Sequence, residues 1–333
     1  MLLTINSLKQ KKSPIVIIII MLSIGIYTTI NLAINHLENS YYDYLKKQNI
    51  EYIAFDLKDP LDRKDVIIEK KESKIVFNKN HLIKIIPYEK VKINKPYLIK
   101  GNVPKNKNEI TILPEYAKEN KLKINDFYKI NDKSYKIVGF MYDPSYIYPM
   151  IDITNPIFNP SKNNMVFIYK NDFNNIKGID EDTYVLTFNN YVPHKFDLDN
   201  KISDNIIFTN NTVIRLMRIS TLKLEILANR KFSKYFLYLL LSISIFIIII
   251  NLKKNINEDK KQIGILKSLG YNDLLISFSY LIYPFLSSLI GTILGYIIGL
   301  TLYYPLSLMY KKYYNLPLNN YKLDLTLVNE SLL

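Results

Sequence analysis

Residues 235–252 read YFLYLLLSISIFIIIINL, and residues 253–273 read KKNINEDKKQIGILKSLGYND. The first stretch has no Asp, Glu, Lys or Arg over roughly the length, ~20 residues, that a helix needs to cross the hydrocarbon core of a bilayer. The second opens on paired lysines and holds only short apolar groups. The change at Lys253 therefore reads as a spanning helix, assigned to 234–252, leaving the membrane into a charged loop, 253–273.

Two further runs flank this pair. Residues 13–37 carry no charge and centre on Ile15–Leu22, which gives a first span at 13–36. Lys9, Lys11 and Lys12 precede it as they would in a signal peptide, but the apolar run is longer than a usual signal core and no small-residue cleavage site follows, so a retained anchor is expected. The third run, 274–310, is long for one upright helix and short for two. Lysine asymmetry orients the chain: residues 1–12 have three lysines and no acid, and in 253–273 lysines outnumber acids, so both are expected in the cytoplasm. Residues 37–233 are then extracytoplasmic. A single crossing by the third run leaves 311–333 outside with Lys311 and Lys312, against the charge rule; a tight helical hairpin would return them.

The region between the first two spans has strand and turn signals and is expected to be an α+β domain. Glu109–Leu113 suits a strand, Pro114 opens a helix to about Lys121, and Asn125-Asp126 makes a turn. Phe127–Ile130 and Ser134–Met141 form a hairpin about Asn131-Asp132, since Asn and Asp tolerate left-handed geometry. Leu37, Tyr41 and Leu45 recur at helical spacing after the first span, and 213–230 mixes apolar positions with Arg215, Arg218 and Glu225. These joining segments are either plain linkers or a helical stalk.

Composition excludes several functions. The 333 residues are 48% hydrophobic and carry a formal charge of +14, but Arg occurs only at Arg63, Arg215, Arg218 and Arg230. Base readers favour Arg forks, so nucleic acid is not an expected partner. There is no Cys, and His36, His81 and His194 lie far apart without a metal-ligand pattern, so no catalytic, cofactor or metal residue is assigned. No Walker A pattern is present, so the chain is not expected to hydrolyse ATP. The apolar runs hold no Asp, Glu, Lys or Arg to mark an ion path.

In 257–271, Ile263, Leu266 and Leu269 fall on one side of a short amphipathic helix that ends at Gly270 as a left-handed cap. A loop this short has no core of its own, so those side chains meet either the bilayer interface or a partner protein. In the third run Gly291, Gly295 and Gly299 repeat every four residues, a smooth face for close helix contact. It packs on this chain's own spans or across a dimer interface.

Gln262-Ile-Gly-Ile-Leu-Lys-Ser-Leu-Gly270, after a basic stretch and before an apolar run, resembles the E-I-G-I-L-K-A-L-G pattern of FtsX-like permeases, with Gln where those proteins most often have Glu. A second likeness lies in Gly101, Pro104, Glu109-Ile110, Ala117-Lys118 and Ile137-Val-Gly139, similar to the MacB-like periplasmic core domain of large permeases in that family. The resemblance implies an FtsX/MacB-like architecture in a bacterial plasma membrane, and an ABC ATPase partner seated on Glu258, Gln262, Ile263, Leu266, Leu269 and Gly270. It further implies membrane lipid around the spans and a homodimer or pseudo-dimer of permease halves. Its substrates would be peptides, lipids or lipoproteins, or none if the protein signals mechanically. Family members continue with another span where 326–333 stands, so a truncated product or a fragment of a longer chain is expected. The rival reading is a membrane receptor with an extracytoplasmic ligand-binding domain.

Overall fold

The computed structural model describes residues 14–51, 53–57, 66–78, 80–151, 157–188, 206–207 and 210–319. Lys9, Lys11, Lys12, Arg63, His194 and 326–333 lie outside them. The chain divides into two compact units, one containing 14–37 and 226–308 and the other 38–225 and 309–319.

The helical unit draws on four helices: α1 (Pro14–Gln48), α4 (Asn210–Glu258), α5 (Lys260–Ser268) and α6 (Asp273–Lys311). Among the described residues three helices are long and apolar enough to cross a membrane, within α1, α4 and α6. No Gly or Pro interrupts 210–258, so the run expected at 234–252 is the middle of one continuous helix. α1 likewise extends past 36 to Gln48, which makes the joining segments helical. α6 is one helix rather than a hairpin, running through Pro284 and Pro305.

Small residues decide how α6 packs. Its buried positions include Ser279, Ser287, Gly291, Gly295, Gly299 and Ser307, all on a four-residue repeat. A side chain begun at Gly295 would lie 2.6 Å from Met21 O, and one at Gly299 would lie 2.5 Å from Thr28 Cβ. Gly291 would place its Cβ 3.0 Å from Ile17 O. The glycine face is thus filled by α1 of the same chain. Polar bonds tie α1 to α4: Asn31 Nδ2 donates to Ser233 Oγ at 3.3 Å and Arg230 Nη2 to Asn35 Oδ1 at 2.8 Å.

The other unit is an α+β domain with two sheets. The larger has the order β10 (Ile179–Asp180), β3 (Lys74–Asn78), β4 (His81–Tyr88), β9 (Asn163–Tyr169), β6 (Glu109–Ile112), β8 (Lys133–Tyr142), β5 (Tyr97–Gly101), with β7 (Phe127–Ile130) also on β8. The smaller has the order β12 (Ile206–Ile207), β1 (Ile53–Leu57), β11 (Thr183–Phe188), β2 (Val66–Lys71). β4 and β9 pair in parallel from Leu82↔Asn163 to Tyr88↔Tyr169. Strand β8 alternates Tyr135, Ile137, Gly139 and Met141 inward, and Tyr135 and Ile137 join Ile83, Ile85, Ile110 and Val166 in a nearly water-free core.

The hairpin from β7 to β8 forms about Asn131, whose φ is 53°. Helix α2 (Pro114–Glu119) stops short of Lys121, which takes φ 56°, and Asn120 Nδ2 donates to Tyr116 O to close it. Gly101, φ 85°, sits opposite Gly139, where a Cβ would come within 2.4 Å of Val138 O. Glu109 accepts hydrogen bonds from Lys105 N, Asn106 N and Asn106 Nδ2 at 2.8–2.9 Å. Burial opposes its ionisation, but these donors outweigh it and hold the carboxyl below its ordinary range. The four-residue α3 (Lys170–Phe173) holds Asp172 inside, where it accepts from Asn108 N at 2.6 Å and Lys133 Nζ at 3.1 Å.

Candidate functional site

The segment from Glu258 to Phe278 is built from a break between two helices and two caps. α4 ends at Glu258, whose carboxylate lies 3.9 Å from Lys254 Nζ. The hydrogen-bond ladder then continues across the break through Asp259 N to Asn255 O, 3.0 Å, and Ile263 N to Asp259 O, 2.9 Å. Tyr280 Oη donates to Asp259 Oδ2 at 2.9 Å, fixing the start of α5 to α6.

At the other end of α5 Gly270 has φ 86°. Gly270 N donates to Lys267 O at 3.0 Å and Tyr271 N to Leu266 O at 3.1 Å, the paired bonds of a Schellman motif. Asn272 Oδ1 at once accepts Leu274 N at 3.0 Å, capping α6. The turn between the helices is therefore tight and determined by residue type.

This turn presents large apolar side chains to solvent. Ile265, Leu269, Tyr271, Leu274, Leu275 and Phe278 are between 46% and 69% exposed. Among the expected contact residues, Glu258, Gln262, Leu269 and Gly270 are exposed, whereas Ile263 and Leu266 are half-buried. The helix has apolar residues on two sides, and the side carrying Ile263 and Leu266 turns partly inward. Ile265, one helical turn from Leu269, is exposed beside it. Hydropathy places Leu274, Leu275 and Phe278 in the third run, 274–310, rather than in the 253–273 loop, although they stand directly after the Gly270-Tyr-Asn-Asp273 turn.

A second concavity lies within the domain, a cavity of about 70 Å³ whose lining includes Lys84, Glu181, Asp143, Tyr146 and Arg218. Lys84 pairs with Glu181, Asp143 accepts from Ser145, and Arg218 donates to Tyr146 Oη while its guanidinium lies 4.2 Å from the ring centre. Lys84 and Glu181 are paired as charges, whereas Asp143 and Arg218 are bonded to neutral partners. Among the described residues no group of His, Cys, Asp and Glu could hold a metal ion.

A charged break, a short capped helix and an apolar turn after one long spanning helix, followed by a second on a glycine face, form one continuous pattern. Residues 235–328 match the FtsX-like permease C-terminal family. The matched segment takes in the apolar part of α4, all of α5 and α6, and the exposed turn. No curated protein is similar to this chain. The match is consistent with a permease of the FtsX-like kind and with a membrane location for the three apolar helices.

Proposed function

We propose that this chain is the transmembrane subunit of a bacterial ABC transporter of the FtsX-like permease type, and that ATP is hydrolysed by a separate partner. The observation that carries the reading is the exposed apolar turn at Ile265, Leu269, Tyr271, Leu274, Leu275 and Phe278, inside the segment that matches the permease family. A partner groove would remove Ile265, Leu269 and Tyr271 from water, as happens at anchors of protein interfaces, and Leu274, Leu275 and Phe278 continue the apolar surface into the third span. In this reading 1–12 and 253–273 face the cytoplasm, and the domain within 37–233 faces outward. The third span ends on the domain's side, so 311–319 is extracytoplasmic. Lys311, out of place by the charge rule, has the carboxylate of Glu115 for company in the domain's own unit.

Nucleotide-driven movement of the ATPase would shift the turn and, through α4 and α6, the domain. The work done is export or extraction of a peptide, lipid or lipoprotein, or a mechanical signal. Two permease halves, in a homodimer or pseudo-dimer, would meet on surfaces other than the glycine face, which α1 occupies. The test is co-purification of the partner ATPase with Ile265→Asp and Leu269→Asp chains. Each anchor should weaken the complex by about 2 kcal/mol, or ~30-fold, with membrane insertion unchanged. Recovery and ATPase stimulation equal to wild type in both variants would sink the docking assignment. Orientation is read separately, because the chain has no Cys: an impermeant maleimide on intact cells should label Asn131→Cys and spare Lys260→Cys.

A further inference from the structure

Helix α6 enters the domain's unit at Met309, and the residues that follow it reach parts of that unit far away in sequence. Lys312 N and Tyr313 N bond back to Met309 O and Tyr310 O and end the helix. Asn315, 1% exposed, then grips the turn after β8: its N donates to Ile147 O at 2.7 Å and its Nδ2 to Tyr146 O at 3.0 Å. Leu316 beside it is fully buried. Tyr314 donates its hydroxyl to Glu225 on α4, and its ring centre lies 5.9 Å from that of Tyr148. Asn319 N donates to Ser40 Oγ at 3.2 Å and its Nδ2 to Asp43 Oδ2 at 2.6 Å, both on α1.

The gripped turn is held from its other side by α4. Arg218 Nη1 donates to Tyr146 Oη at 2.7 Å, and Arg218 O accepts from Tyr148 N at 2.8 Å. One short segment after the last span therefore touches the domain turn and the domain ends of both other long helices.

We infer that residues 312–319 form a latch that fastens the end of α6 to the 144–148 turn, to α4 and to α1, with Asn315 as the positioning residue on which it closes. The closed latch makes the three helices and the domain turn move together, so displacement of α6 reaches the domain through Asn315. The fastening stands on the contacts themselves. The transmission rests on the permease reading.

Fastening is tested without any ATPase, by hydrogen exchange of the full chain in lipid nanodiscs. Asn315→Ala leaves a buried carbonyl without its donor and should raise exchange across 313–319 about tenfold. Tyr314→Phe removes only the hydroxyl bond to Glu225 and should raise it less, while Tyr313→Ala, at an exposed position, should leave it at the wild-type rate. Unchanged exchange in both Asn315→Ala and Tyr314→Phe overturns the latch.

Transmission is tested with a fluorophore on Lys129→Cys in the domain, read with and without nucleotide in the complex. Loss of the nucleotide-dependent change in Asn315→Ala, with the ATPase still bound and active, supports it. Restoration by a disulfide between Ser40→Cys and Asn319→Cys supports it further. A response that persists in Asn315→Ala despite faster exchange overturns transmission and leaves the fastening. A wild-type complex with no response overturns transmission together with the permease reading, and the exchange result still decides the fastening.

Discussion

The two units of this chain are built inside out with respect to each other. The helical unit buries small residues beside aliphatic ones and leaves many of its largest side chains outside: Gly291, Gly295, Gly299 and Ser287 are buried with Ile20 and Ile34, while Leu239, Ile245, Phe246, Phe285 and Ile293 are exposed. The domain does the reverse, enclosing Tyr116, Tyr135, Tyr142 and Phe167 and surrounding them with Lys, Glu and Asn. The difference identifies the solvent of each. Water rewards burial of large apolar groups, whereas lipid tails do not distinguish a buried Leu from an exposed one, so close packing of small residues is what holds helices together.

The contrast breaks most readily at a large buried side chain of the domain. Phe167→Ala, at a site 2% exposed, should cost about 3–5 kcal/mol, because lost transfer energy and a new cavity add. Phe246→Ala in the helical unit, at 64% exposure, should cost under ~0.5 kcal/mol. Thermal unfolding of the two variants in matched lipid checks the pair, and equal losses would remove the distinction between the solvents.

In the helical unit the damaging change is the opposite one. Gly295→Leu drives a side chain into Met21 O and Ile24 Cβ, so α1 and α6 must separate. A cost of about 1–3 kcal/mol or more is expected from overpacking. Ile297→Leu on the exposed side should be neutral. Monodisperse yield by size-exclusion chromatography would show it, and equal yields would mean that the glycine face is not a close contact.

Much of this was legible in the sequence, and what was not has a physical reason. Gly291, Gly295 and Gly299 stand out because glycine is rare in a helix without cause, and the Asn131-Asp132 hairpin because its turn chemistry is local. Ser279, Ser287 and Ser307 extend the same face but read as polar, since sequence alone does not say whether Ser is used for its hydroxyl or its size. The parallel pairing of β4 with β9, and Asn315 on Tyr146, join residues distant in sequence through backbone groups, which leave no mark on side-chain pattern. At the exposed turn the sequence pattern puts Ile263, Leu266 and Leu269 on one side of α5, whereas in the structure Leu269 is exposed together with Ile265 and the other two are half-buried. Helical spacing alone does not show which flank neighbouring elements cover.

Gly270 and Gly101 separate strain from crowding. Their φ angles are 86° and 85°, yet an added Cβ meets nothing within 4 Å at Gly270 and lies 2.4 Å from Val138 O at Gly101. Gly270→Ala should therefore cost only the left-handed penalty, about 1–2 kcal/mol, confined to the Schellman turn. Gly101→Ala should lose more, through the domain's unfolding. Hydrogen exchange resolves the two by location: faster exchange at 266–274 alone for the first, and across β5 and β8 for the second. Domain-wide loosening by Gly270→Ala would contradict the assignment.

The smallest expected effect concerns a carboxylate that the water-facing unit buries without full compensation. Glu115 stands in the first turn of α2, where Oε1 accepts from Tyr142 Oη and Oε2 is sealed off with no partner. Burial raises its pKa by more than Tyr142, its own backbone N–H, Lys311 and Lys118 together lower it, so the carboxyl is held above its ordinary range. A group whose folded-state value exceeds its unfolded one holds its proton more tightly in the folded chain. Its stabilising contribution is full below the unfolded value of about 4.3 and is lost as pH rises through the folded value. Gln has the same shape, keeps an acceptor for Tyr142 and never ionises. Glu115→Gln should accordingly be at least as stable as wild type at pH 8, and that margin should shrink as the pH is lowered toward 4. Thermal unfolding of both chains across this range measures the margin. A wild type more stable than the Gln variant at pH 8 would mean that Tyr142 and Lys311 outweigh burial, and that the domain holds this charge as a satisfied ion.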